Sequence, residues 1–194
     1  MPAASPDVHA LVLAAGYGRR FGADKRQARL PDGTPLLAAS LARAARCFAR
    51  VSVVLRPEDD PEGLGVPDGM GIVRCAEAAR GMGHSLAAGA RALADADGVA
   101  LAVLLGDMPW LADATLVALA ARAQARRIVF PRYQGERGHP VLFGRAFWPA
   151  LANLKGDNGA RALLQAHPEA CLDLAVDDPG VLQDVDAPAD LGAG

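Results

Sequence analysis

Hydrophobic and polar positions along the chain fall into alternating blocks, short unbroken apolar runs separated by longer amphipathic stretches. Residues 8–15 form the first apolar run and read as a strand. Residues 35–48 read as a helix, with Thr34 at the N-cap and Pro35 in the first turn. Residues 51–55 are rich in β-branched side chains and predict a second strand. Residues 57–71 gather proline, glycine and acids, hence a loop, and 72–75 form a short strand. An alanine-rich helix is expected over 86–96. The unbroken apolar run 99–105 marks a central strand covered on both faces. Asp113 is placed as the cap of a helix reaching about Arg126. Strands follow at 128–131 and 140–143, short helices at 145–153 and 158–166, and a last strand at 171–176, with Pro188 opening a terminal turn or helix. This alternation predicts an α/β fold around a mostly parallel, Rossmann-like sheet. No repeat or dividing linker is visible, so residues 1–194 are expected to form one domain, with 1–7 as a flexible tail.

Bulk properties narrow the function. At 194 residues the chain is long enough for a sizeable core, and with 52% hydrophobic but only 5% aromatic residues that core is built of Ala, Leu and Val. A net charge of −2 argues against nucleic acid as the main partner. Cys47, Cys75 and Cys171 have no metal-ligand spacing and read as reduced thiols. The first residues lack a basic leader, and no apolar run approaches the roughly 20 residues of a membrane span. The expected location is therefore the cytoplasm, away from membranes.

The first strand ends abruptly at Gly16, and Gly18 and Gly22 follow. Arg19, Arg20, Lys25 and Arg26 edge this loop with positive charge. A glycine-rich turn brings backbone N–H groups close to a ligand, and successive N–H groups make an anion-binding concavity. The spacing matches neither the dinucleotide fingerprint nor the P-loop. An ordinary strand-to-helix turn with solvated arginines remains the competing reading. Of the 20 Lys+Arg, only Lys25 and Lys155 are lysines, and each lies near glycines. A lysine in so arginine-biased a chain points to a need for a compact point charge.

Other segments carry chemistry on the same terms. Asp107, in Gly106-Asp107-Met108-Pro109, ends the central strand, where open α/β sheets bind ligands. It reads either as a turn aspartate beside proline or as a Mg²⁺ ligand. Asp184 and Asp186 are separated by one residue, which in extended backbone puts both carboxylates on one face. They read either as a solvated acidic turn or as half of a cation site. Asp190 is assigned to a helix surface. Ser85, within Gly81-Met82-Gly83-His84-Ser85-Leu86, can cap the following helix, whose N-terminus favours anions; His84 reads as an exposed loop histidine. Gly138-His139-Pro140 reads as a strand entry, and residues 156–161 as the capped start of the helix over 158–166, with Asp157 at its N-cap.

Leu13-Ala14-Ala15-Gly16, then Arg20-Phe21-Gly22 and Lys25, resemble the signature of the nucleotidyltransferases that attach a nucleotide to molybdopterin, nearest the molybdenum cofactor cytidylyltransferases. The resemblance spans residues 11–191. Guanylyltransferase relatives carry Leu-Ala-Gly-Gly, so Ala15 favours cytidine. Relatives often have proline where this chain has Asp24. The resemblance implies a three-layer α/β sandwich of the nucleotide-diphospho-sugar transferase (GT-A-like) type. It implies that Leu13, Ala14, Ala15, Gly16, Gly18, Arg20, Lys25, Gly81 and Ser85 bind the nucleotide. Arg20, Lys25 and Asp107 would be catalytic, the two cations neutralising phosphate charge, and Asp107 and Asp186 would hold Mg²⁺. His139, Asp157 and Arg161 would face the acceptor, with Lys155 near its phosphate. The implied reaction transfers CMP from CTP to the molybdopterin phosphate and releases pyrophosphate. A molybdoenzyme or its chaperone is the implied client. Alternatives are GTP or another phosphorylated acceptor, a non-catalytic nucleotide-binding maturation chaperone, and an NAD(P)-binding oxidoreductase, the last lacking the ribose-binding acid.

Overall fold

A computed structural model describes residues 7–18, 21–156 and 159–192. Its strands are β1 (Val8–Leu13), β2 (Arg50–Leu55), β3 (Gly71–Arg74), β4 (Ala100–Leu105), β5 (Ile128–Tyr133), β6 (Glu136–Arg137), β7 (Val141–Gly144) and β8 (Cys171–Ala175). Its helices are α1 (Leu36–Cys47), α2 (Met82–Ala92), α3 (Asp113–Ala120), α4 (Trp148–Leu151) and α5 (Arg161–Ala166). The strands form one sheet in the order β3-β2-β1-β4-β7-β5-β6, with β8 against β5. β1, β2, β3 and β4 run parallel to one another, as does β8 beside β5. β7 runs antiparallel to both β4 and β5. The expected mostly parallel α/β sheet is present, with this antiparallel departure in its second half.

Side-chain alternation along the central strands sorts the core into two layers. Val8, Ala10 and Val12 of β1 join Ala100, Ala102 and Leu104 of β4 against Leu37 and Leu41 of α1 and Leu116 and Leu119 of α3. Leu11 and Leu13 join Leu101 and Val103 on the other face, under Leu86 and Ala90 of α2 and Trp148 and Leu151 of α4. This is the three-layer arrangement. Its carboxyl edge gathers the loops after β1 and β4, and the site lies there.

Several local expectations are corrected. Pro35, not Thr34, occupies the N-cap of α1, and no side chain caps it. α2 begins at Met82, four residues before the expected start, so Ser85 lies inside the helix and caps nothing. Ala112 is the N-cap of α3, which ends at Ala120; Asp113 sits in its first turn and pairs with Arg46. The β5–β6 hairpin was unexpected. Its two-residue loop, Gln134-Gly135, has positive φ at both positions (48° and 87°), the geometry that a tight hairpin demands and that glycine supplies.

Candidate active site

β1 delivers its last residues to an open cavity of about 600 Å³ at the carboxyl edge of the sheet. Leu13, Ala14, Ala15, Gly16 and Gly18 form one wall, Gly81, Met82 and Ser85 another, and Lys25, Asp107, Asp184 and Asp186 the floor. That volume suits a small-molecule site.

The two distant acidic segments meet here. Asp107 follows β4, and its backbone carbonyl accepts a bond from the Val185 N–H at 3.0 Å. This bond fixes residues 184–186 beside the strand end. The Lys25 ammonium then donates to Asp107 Oδ2 at 2.6 Å and to the Val185 carbonyl at 2.9 Å, and lies 3.6 Å from Asp186 Oδ1. One cation therefore already sits against both carboxylates. Asp107 Oδ1 is buried and has no partner among the described residues. Asp184 lines the same floor; burial raises its pKa, and the nearby Asp107 and Asp186 charges add to that effect while Lys25 opposes it. Asp190 is not a bystander on a helix surface: its Oδ2 accepts from the Asp186 and Ala187 N–H groups at 3.0 and 2.7 Å, shaping the acidic turn.

The opposite wall is the start of α2. Gly81 is its N-cap with φ of 120°, a value costly for any residue with a Cβ. No side chain caps this end. The Gly83 N–H donates to the Gly156 carbonyl at 2.8 Å, tying α2 to the 155–156 segment. The partial positive charge of a helix N-terminus thus faces the cavity. His84 is a buried helical residue, its Nδ1 3.5 Å from Glu77, not an exposed loop histidine.

A second cavity of about 260 Å³ adjoins the first and shares Leu13, Met82 and Leu105 with it. Its walls are mainly apolar, including Leu86, Val103, Val141 and Phe143, with Arg137, His139 and Arg161 as its polar lining. Burial lowers the His139 pKa and Arg137 lowers it further, against a raising effect from Asp107, so the imidazole is neutral near pH 7. Its Nδ1 is buried without a protein partner.

Residues 10–171 match the family described as the MobA-like NTP transferase domain. The chain belongs to that family. It is a nucleotidyltransferase. The purine catabolism protein PucB of Bacillus subtilis (strain 168) is 32% identical over 95% of this chain and 94% of its own. The crystal structure of Rv0371c from Mycobacterium tuberculosis H37Rv superposes with a TM-score of 0.84 at 30% identity, over 99% of this chain and 100% of that one. A second structure of Rv0371c, in complex with manganese, has a TM-score of 0.78 at 28% identity, over 98% of this chain and 100% of that one. Molybdopterin-guanine dinucleotide biosynthesis protein A from Archaeoglobus fulgidus shares the fold, with a TM-score of 0.64 at 20% identity over 94% of each chain.

Against this family frame, the sequence-predicted residues fall into two groups. Lys25, Asp107 and Asp186 converge with the Leu13–Gly18 loop, Gly81 and Ser85 on the larger cavity. His139 and Arg161 line the smaller one. Arg20 and Asp157 lie outside the described residues. Lys25 faces the carboxylates. Arg26, expected among the cations edging the loop, is instead buried beneath it between Asp24 and Asp59. The sequence reading passed over Asp59 and Arg56, which complete that arrangement. Asp24, where relatives often carry proline, accepts from the Arg26 N–H at 3.1 Å and caps a short turn over Lys25–Gln27. Among the described residues no helix is long and apolar enough to cross a membrane.

Proposed function

We propose that the protein transfers CMP from CTP to the phosphate of molybdopterin, releasing pyrophosphate, with Mg²⁺ held by Asp107 and Asp186. The observation that carries this reading is the convergence of those two acids on one cation at the foot of the glycine loop. The donor set fits a hard divalent ion: carboxylate oxygens converge, one of them buried and unpartnered, and an ammonium already occupies a cation position beside them. Two carboxylates would leave room for phosphate oxygens and water around the ion. When bound, the ion would neutralise charge on the triphosphate.

The chain's own groups account for the rest. The glycine loop and the α2 N-terminus offer N–H donors to the phosphates. Lys25 would offset charge on the departing pyrophosphate, together with Arg20. The attacking group is a phosphate monoester, largely dianionic near neutral pH because its second pKa is about 6. It needs no general base, consistent with histidines that form no relay. His139, kept neutral, and Arg161 would orient the acceptor in the smaller cavity, whose apolar walls suit a fused ring system. Asp157 and Lys155 would act on the same side. Catalysis is then positioning and charge neutralisation. Ala15 supports cytidine over guanosine, by its likeness to the cytidylyltransferase signature.

The test is pyrophosphate release with CTP or GTP, molybdopterin as acceptor, and Mg²⁺ or Mn²⁺. Release dependent on both CTP and molybdopterin is expected. Equal or faster release with GTP would overturn the base assignment. Nucleotide binding without any release would favour the chaperone role.

A further inference from the structure

The loop wall has a feature that nucleotide chemistry alone does not require. Three successive carbonyls, of Ala14, Ala15 and Gly16, are taken by two guanidinium groups, that of Arg26 buried and that of Arg56 partly exposed. Arg26 Nη1 donates to the Ala14 carbonyl at 2.9 Å. Arg56 Nε donates to the Ala15 carbonyl at 3.3 Å, and Arg56 Nη2 to that of Gly16. In a planar trans peptide the C=O of one residue and the N–H of the next point in opposite directions. The N–H groups of Ala15, Gly16 and Tyr17 are thereby turned away from the arginines, and all three residues line the larger cavity. Among the described residues, no protein acceptor takes these N–H groups.

The arginines are themselves fixed. Arg26 donates to Asp24 through Nε at 2.8 Å and Nη2 at 2.5 Å, and to Asp59 through Nη1 at 2.5 Å and Nη2 at 2.7 Å. With the Ala14 bond, every one of its five donors is engaged. Arg56 anchors Asp59 through its backbone N–H at 2.8 Å, stands 3.8 Å from Asp24, and lies 4.1 Å from the centre of the Tyr17 ring. Two cations and two anions cancel. The cluster therefore adds little net charge beneath the phosphates, and its effect is on direction.

We propose that Arg26 and Arg56, braced by Asp24 and Asp59, are positioning residues that aim three backbone N–H groups at the nucleoside triphosphate. This rests on the reading that the triphosphate lies on the glycine loop. Arg56→Ala is the variant of choice, because it frees two carbonyls and leaves the Arg26 pairs intact. Calorimetric titration with CTP, and separately GTP, in the presence of Mn²⁺ is expected to show affinity about tenfold weaker than wild type, as the loss of two oriented contacts implies. Millimolar guanidinium ion should restore most of it. Arg56→Lys should fall between, because one ammonium cannot fork between two carbonyls. Wild-type affinity in folded Arg56→Ala, or weakened affinity that guanidinium leaves unchanged, would overturn the positioning role. If the wild-type protein itself binds neither triphosphate, the parent reading fails instead.

Discussion

The two halves of the sheet treat charge in opposite ways. In the parallel half, Arg26 and Asp59 form an ion pair with both side chains only 6% exposed, directly under the glycine loop. In the other half, Arg132 and Asp173 pair across the parallel strands β5 and β8 with exposures of 39% and 53%. The first pair cannot be hydrated and must be fully hydrogen-bonded to exist, so it holds backbone in place. The second is screened by water and fixes little. The cavities differ in the same sense, although both draw on the parallel strands β1 and β4. The larger is walled by oriented backbone and ringed with charge, whereas the smaller is mainly apolar with a few polar groups. On the proposed function, the larger cavity would grip a defined anionic group and the smaller would accept a shape.

The contrast can be broken or sharpened in four ways. Asp107→Ala should have the largest effect, a loss of about 10³-fold or more in pyrophosphate release with folding intact by circular dichroism. Wild-type turnover would remove the metal assignment. Asp59→Asn leaves Arg26 buried with one partner fewer, and should cost about 3 kcal/mol in urea unfolding. Its pH dependence has a definite sign. Burial opposes the Asp59 charge, but the Arg26 hydrogen bond and the nearby cations prevail and hold its carboxyl below the ordinary 3.8; the hydrogen bond from Arg26 likewise lowers Asp24. Their stabilisation is fully present above that ordinary value and is lost as pH falls through the lower folded values. Asp59→Asn should accordingly flatten the acid limb of the stability curve. Arg161→Ala should raise the acceptor KM about tenfold, the loss of one charged hydrogen bond, while triphosphate affinity stays unchanged. Equal effects on both substrates would erase the distinction between the cavities. Arg132→Ala should shift stability by less than about 1 kcal/mol.

Much of this was legible in the sequence, and the gaps have physical causes. The alternation of Leu101 and Val103 against Ala100, Ala102 and Leu104 announces a strand buried on both faces. Gly16 and Gly18 announce the loop, and Asp107 its position at a strand end. Asp59 gave no signal. It sits in a proline- and acid-rich loop without periodicity, and an ion pair to a residue 33 positions away leaves no local trace. The early start of α2 was hidden because glycine disfavours helix in isolation. Here Gly83 is required by packing: a Cβ on it would lie 2.7 Å from the Gly156 carbonyl oxygen. The antiparallel placement of β7 depends on the Gln134-Gly135 hairpin, whose first residue is not a usual turn former.

The ammonium of Lys25 between Asp107 and Asp186 has a consequence for assembly. Two carboxylates brought together by the fold would repel one another, and many metalloproteins depend on their ion to overcome this. Here a side chain of the same molecule supplies the counter-charge, so the floor of the cavity is self-supporting. A chelator such as EDTA should then halt turnover and leave the protein folded, with the melting temperature falling only by what the ion's own binding contributes.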